Sequence, residues 1–329
     1  MSGVPTIDVS GLRTPERALE VAAQIDTACR ASGFFSIVGH GVPEGLRCRL
    51  DGLAREFFAL PEEAKAGIAM AQGGRAWRGW FPVGGELTSG RPDLKEGIYF
   101  GQELSLDDPA VLAGVPLHGP NQFPAEPPGL RAAVLDYMTA VTEVGRLVLE
   151  GIALGLGLEA TWFDTHLTAD PLVLFRIFHY PAPEPGTQQV GVGEHTDYGL
   201  ITLLGQDASG GLEVRTTDGW VPVPPDPGAF VINIGDMLER MTGGAYRSTP
   251  HRVRNTSGAD RLSFPLFLDP AWDAEVLPVP GFGGGPDRDP SSRWDGQSVF
   301  AWTGTYGDYL LGKVGKVFPD LRSQVLDDP

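Results

Sequence analysis

The chain has 329 residues, of which 42% are hydrophobic, and its 42 Asp and Glu against 25 Lys and Arg give a formal charge of −17. That apolar share supports a sizeable core, and the acidic balance leaves no basic footprint, which speaks against nucleic-acid binding. No apolar run nears the roughly 18 residues of a membrane span and no basic-then-apolar leader opens the chain, so a cytoplasmic protein without a membrane partner is expected, with Cys29 and Cys48 as reduced thiols.

In chain order, Thr14-Pro15-Glu16 opens a helix that runs to about residue 31, with Thr as cap and Pro in the first turn. Residues 44–60 and 62–68 read as helical. The stretch 130–154 carries Val134, Met138, Val141, Val148 and Ile152 at helical spacing, the pattern of a brace against a sheet. From Pro171 the texture changes to short strands, expected at 172–180, 200–205, 212–216, 220–223, 229–234, 252–255 and 262–268. Thr217-Asp218-Gly219 supplies a hairpin-type Asp-Gly. Strands so spaced predict a mixed α/β fold with a mainly β core: a double-stranded β-helix, or jelly roll, flanked by helices. Residues 281–296, with Gly283-Gly284-Gly285, read as a loop, either a lid or plain surface. No internal repeat or self-pairing edge stands out, and the oligomeric state stays open.

Chemistry concentrates in the strand region. His195 and Asp197 stand two apart in Glu194-His195-Thr196-Asp197-Tyr198, so a strand presents both on one face. His251 must come alongside from another strand. Two imidazoles and one carboxylate form a facial set that leaves positions open on iron(II). A His-x-Asp triplet is common by chance, and a third element gives this one weight. Arg261 and Ser263 share one face of an alternating strand, and a guanidinium with a hydroxyl inside an apolar barrel calls for a carboxylate.

Further segments carry a resemblance. They are Val4-Pro5-Thr6-Ile7-Asp8, Ala28-Cys29-Arg30-Ala31-Ser32-Gly33-Phe34-Phe35, His40-Gly41-Val42, Phe57-Phe58-Ala59-Leu60-Pro61, Asp93-Leu94-Lys95-Glu96, and His118-Gly119-Pro120-Asn121-Gln122-Phe123-Pro124. With His195-Thr196-Asp197, His251 and Arg261-Leu262-Ser263 they make the chain resemble, almost end to end, the isopenicillin N synthase-like branch of the iron(II)/2-oxoglutarate-dependent dioxygenases. One departure stands out: plant members commonly read Asn-x-Tyr before Pro, where this chain has Phe178-His179-Tyr180. The Tyr is kept and the amide is lost.

The resemblance implies an enzyme that oxidises a small molecule with O2, most often by hydroxylation, using Fe(II) and 2-oxoglutarate as cosubstrate and releasing succinate and CO2. It implies 2-oxoglutarate on the metal through its C1 carboxylate and keto oxygen, with the distal carboxylate on Arg261, Ser263 and Tyr180. Arg176 shares the inward parity of Phe178 and Tyr180 and needs an anionic partner: the C1 end of the cosubstrate, an acidic group of the substrate, or a surface acid. Arg78, Trp80, Lys95, Phe100, Tyr198 and Phe267 are pocket candidates by location. The other histidines, His40, His118, His166 and His179, read as structural. The implied organisation is a helical and strand region at 1–125, a bracing helix at 126–170, the jelly-roll core at 171–270 and a closing segment at 271–329, together one unit. Two readings compete: an iron oxidase or cyclase that does not use 2-oxoglutarate, and a jelly-roll binding protein without turnover.

Overall fold

A computed structural model describes residues 3–88, 90–183, 190–217, 219–283, 296–319 and 322–323. Asp218 of the expected hairpin, and 284–295 of the expected loop, lie outside the described residues. The strands are β1 (Thr6–Asp8), β2 (Phe34–Val38), β3 (Gly79–Phe81), β4 (Leu87–Thr88), β5 (Arg91–Pro92), β6 (Glu96–Gly101), β7 (Leu172–Tyr180), β8 (Val190–His195), β9 (Ile201–Gln206), β10 (Leu212–Thr216), β11 (Gly219–Pro222), β12 (Phe230–Ile234), β13 (His251–Arg254) and β14 (Arg261–Asp269). The longer helices are α1 (Pro15–Ala31) and α2 (Glu44–Phe58). Short α3 (Glu62–Lys65) and α4 (Pro109–Leu112) precede the long α5 (Leu130–Gly155), and α6 (Trp162–His166), α7 (Asp236–Met241) and α8 (Tyr306–Val317) follow.

The strands form an eight-stranded sheet in the order β1-β2-β12-β9-β14-β7-β6-β3 and a four-stranded sheet in the order β11-β10-β13-β8. From β7 onward the chain crosses back and forth between the sheets, as in a jelly roll: β8 and β10 enter the small sheet while β9 and β12 enter the large one. Alternation then sorts the side chains. On β7, Leu174, Arg176, Phe178 and Tyr180 line a cavity, whereas Phe175 and Ile177 point the other way and are fully buried. On β14 the cavity face is Arg261, Ser263, Pro265, Phe267 and Asp269.

α5 braces the outer face of the large sheet, burying Val134, Val141, Val148 and Ile152. Each such side chain contributes about 1.5–3 kcal/mol. Gly145 lets the helix approach β14, because a Cβ there would fall 2.8 Å from Leu268 Cδ2. α1 packs on α5 in turn. Its Pro15 stands at the first helical position, but Thr14 makes no side-chain capping bond. The expected 44–60 helix stops at Phe58, and 62–68 is one turn of α-helix followed by 3-10 helix at Ala66–Ile68. Among the described residues no helix is long and apolar enough to cross a membrane.

Candidate functional site

The turn after β8 brings Asp197 back beside His195, and the antiparallel pairing of β13 with β8 sets His251 directly opposite His195. Their rings stand 4.2 Å apart between centroids. One donor atom from each of His195, Asp197 and His251 lies within 4.8 Å of the others. The Nε2 atoms of His195 and His251 lie 3.9 and 3.8 Å from Asp197 Oδ1.

Protons are arranged to leave this space bare. His195 Nδ1 lies 2.8 Å from the Gly193 carbonyl and His251 Nδ1 3.2 Å from that of Thr249. A carbonyl only accepts, so each Nδ1 carries the hydrogen and each Nε2 keeps a free lone pair. Asp197 Oδ2 accepts from Thr202 Oγ1 at 2.5 Å and Asn233 Nδ2 at 2.7 Å, which turns Oδ1 toward the histidines. Burial alone would raise the Asp197 carboxyl, but His251 and His195, then Thr202 and Asn233, hold it below the usual carboxylate range. Burial, then the neighbouring His195, pushes His251 down to about 4. Such a donor set fits a divalent metal with open coordination positions.

Thr202 and Asn233 had no place in the motif. The signal for Asn233 is an amide inside the apolar strand Phe230-Val231-Ile232-Asn233-Ile234, where a polar group must have a partner. Asn233→Ala is expected to weaken iron(II) binding by about 10- to 100-fold with the fold intact. An unchanged iron(II) titration would mean that Thr202 and packing alone orient the carboxylate.

A second centre lies at the start of β14. Arg261 is fully buried. Its Nε donates to the Gly210 carbonyl at 2.6 Å, and its Cζ lies 4.6 Å from the Tyr180 ring centroid. Nη1 and Nη2 are buried with no hydrogen-bond partner among the described residues. Leaving such donors bare costs about 1–3 kcal/mol each, more for a charged group, so the fork is built for an anion with two oxygens. Ser263 lines the same cavity two positions along. Gly191 makes room for Tyr180, since a Cβ there would lie 2.6 Å from the ring.

The triad, Arg261 and Ser263 all line one cavity of about 530 Å³, walled by both sheets and by Leu310, Lys313 and Val314 of α8. Arg176, Tyr180, Lys95, Tyr198 and Phe267 also line it, as does Phe178, which stands in the place of the lost amide. Arg78, Trp80 and Phe100 do not. Arg78 spends its guanidinium on the carbonyls of Gln102, Gly119 and Leu117. Trp80 donates to Glu96 at 2.9 Å. Phe100 has the wrong parity on β6: Tyr99 faces the cavity, and Phe100 stacks on Phe123 and Phe175 in the core. Lys95 arrives already neutralised, paired with Glu86 at 2.8 Å and with Asp93. Of the other histidines, His40 and His166 bond to main-chain carbonyls and His179 bridges Glu96 and Asp260.

Asp269 ends the cavity face of β14 and accepts from Tyr306 Oη of α8 at 2.5 Å. Gly199 packs against it, since a Cβ there would fall 1.5 Å from Oδ1. Burial pushes this carboxyl from 3.8 up to about 7. A raised folded value means that the native state holds the proton longer, so the stabilisation is present in acid and lost as pH rises through about 7. Relative to Asp269→Asn, the metal-free native protein should therefore lose stability between pH 3.8 and about 7. Denaturant unfolding across that range checks it, and parallel curves for the two proteins would contradict it.

Comparison with known proteins adds three relationships. Residues 171–270 match the model of the 2OG-Fe(II) oxygenase superfamily, and residues 4–126 match the amino-terminal model described as non-haem dioxygenase in morphine synthesis. A Dictyostelium discoideum protein named as a probable iron/ascorbate oxidoreductase is 46% identical over 93% of this chain and 91% of its own length. A homoarginine-6-hydroxylase of Glycine max is 37% identical, covering 97% of this chain and 98% of its own. Among solved structures, a Neurospora crassa protein crystallised in complex with alpha-KG and thymine superposes with a TM-score of 0.76 at 27% identity, over 95% of this chain and 96% of that one.

Proposed function

The chain belongs to the 2OG-Fe(II) oxygenase superfamily, an oxidoreductase using iron(II), 2-oxoglutarate and O2, and on that premise we propose that it hydroxylates a small molecule in the cavity between His195, Asp197, His251 and Arg261. The sequence motifs support membership of the isopenicillin N synthase-like branch of that superfamily. The single observation that carries the cosubstrate assignment is Arg261, whose two terminal nitrogens are buried without a partner among the described residues.

His195 Nε2, His251 Nε2 and Asp197 Oδ1 would hold the iron. When bound, iron(II) and 2-oxoglutarate supply the oxidising chemistry: the cosubstrate loses CO2 to become succinate, and one oxygen atom of O2 enters a C–H bond of the substrate. The chain's own residues bind, orient and shield. Thr202 and Asn233 hold the Asp197 carboxylate so that one oxygen faces inward. Arg261 and Ser263 take the distal carboxylate of 2-oxoglutarate, and the Tyr180 ring stacked on Arg261 fixes the plane of the fork. Phe178, Phe267 and Leu310 keep water out of the reacting volume, which strengthens every charge interaction inside it.

Homoarginine, the substrate in the name of one relative, is the first compound to try. Incubation with iron(II), 2-oxoglutarate and ¹⁸O₂ should yield succinate together with a product heavier by one labelled oxygen. Oxygen consumption without succinate would reject the reading.

A further inference from the structure

The cavity holds a second guanidinium, that of Arg176 on β7, and an ionised group so buried needs compensation. Its Nη1 donates to the carbonyls of Phe100 at 3.2 Å and Phe175 at 3.1 Å. The Tyr99 ring centroid lies 3.4 Å from its Cζ, and that of Phe267 lies at 5.7 Å. These contacts fix the plane of the fork and use one corner of it.

Among the described residues, no carboxylate lies within 4.0 Å of its nitrogens. Glu86 and Asp269 reach it only through their fields. Glu86 is engaged by Tyr99 at 2.6 Å and Lys95 at 2.8 Å, and Asp269 by Tyr306. Burial pulls Arg176 below the ordinary arginine range, against the opposing influence of Tyr99, Glu86 and Asp269.

The compensating charge must come from what enters the cavity. 2-Oxoglutarate has two carboxylates, and the proposed function uses both, one on Arg261 and one at the metal ligands. Arg261 pairs with Tyr180, four residues along β7 from Arg176, or about 13 Å of strand. One carboxylate does not serve both forks.

We propose, resting on the function proposed above, that the substrate carries a free carboxylate and that Arg176 binds it with the remaining edge of its guanidinium. Arg176 is then the residue that selects the substrate class and sets which carbon faces the metal ligands. Its planar fork matches a carboxylate in a way that a lysine ammonium does not.

Two anaerobic titrations test this. In the first, 2-oxoglutarate is added to the iron(II) protein and followed by visible absorption, for wild type, Arg176→Gln and Arg176→Lys. The variants should bind 2-oxoglutarate as wild type does, which also shows that their fold is intact. In the second, free carboxylic acids and their matched primary carboxamides, beginning with L-homoarginine and L-homoargininamide, are titrated calorimetrically into the iron(II)–2-oxoglutarate complex. The acids that bind should outdo their amides by roughly 10- to 100-fold, and Arg176→Gln should erase that difference while Arg176→Lys retains part of it. Equal binding of acids and amides, or no binding by any acid of the panel, overturns the proposal. So does a 2-oxoglutarate constant raised by Arg176→Gln, which would put Arg176 on the cosubstrate. If wild type itself shows no 2-oxoglutarate band, the proposed function falls, and this inference falls with it.

Discussion

Asp197→Ala is expected to weaken iron(II) binding by more than about 100-fold and to reduce turnover to background, with the fold retained. The size follows from what the side chain does at once. It is the only anionic donor in the set, placed 3.8–3.9 Å from both Nε2 atoms. Its second oxygen also satisfies Thr202 and Asn233, so truncation leaves two buried donors bare and two imidazoles facing each other without an anion between them. Asp197→Asn keeps those volumes but removes the charge, and should lose most of the affinity as well. Equilibrium dialysis against iron(II), with circular dichroism as the fold control, reads the effect. Iron(II) bound as tightly as in wild type would reject the ligand assignment, whatever happened to turnover.

Arg261→Ala should raise the dissociation constant of 2-oxoglutarate by on the order of 100-fold while iron(II) binding persists. Two charge-assisted bonds are at stake, from Nη1 and Nη2, which have no partner among the described residues. The same orphaned nitrogens give a second signature in the absence of cosubstrate. Removing them deletes unsatisfied donors from a fully buried position, so the variant should lose far less stability than truncating a buried arginine usually costs. 2-Oxoglutarate should raise the melting temperature of wild type and leave that of Arg261→Ala nearly unmoved. A variant that binds 2-oxoglutarate normally but loses its substrate would mean that the fork holds a substrate carboxylate and not that of the cosubstrate.

How much could be read beforehand follows the periodicities. β7 at Leu172–Tyr180 and β10 at Leu212–Thr216 match their expected bounds, because alternation inside an apolar stretch leaves a clear signature. β6 at Glu96–Gly101 is illegible in the sequence: Lys95 and Glu96 look like surface charges, and their burial is tolerable because Glu86 and Asp93 pair with Lys95 while Lys65, Trp80 and His179 converge on Glu96. The sequence does not show the parity of β6, so location alone points to Phe100, whereas Tyr99 is the residue that faces the cavity. α8 escaped for a related reason. Tyr306 and Tyr309 look like loop aromatics until their hydroxyls are seen to dock on the buried carboxylates Asp269 and Asp236. His195, Asp197, His251, Arg261 and Ser263 were legible because each sits on or beside a strand whose period of two dictates its direction. The residues that orient them, Thr202 and Asn233, come from strands that are neighbours only in the folded sheet.

The most direct measurement is the visible absorption of the purified apoprotein, kept free of oxygen, as iron(II) and then 2-oxoglutarate are added. Iron(II) alone should leave the visible region empty, and 2-oxoglutarate should bring up a weak metal-to-ligand charge-transfer band that saturates at one equivalent per chain. Arg261→Ala should need far more 2-oxoglutarate to reach the same band. Iron(II) bound at the triad with no band at any 2-oxoglutarate concentration would contradict the cosubstrate site, and no bound iron(II) would contradict the metal site itself.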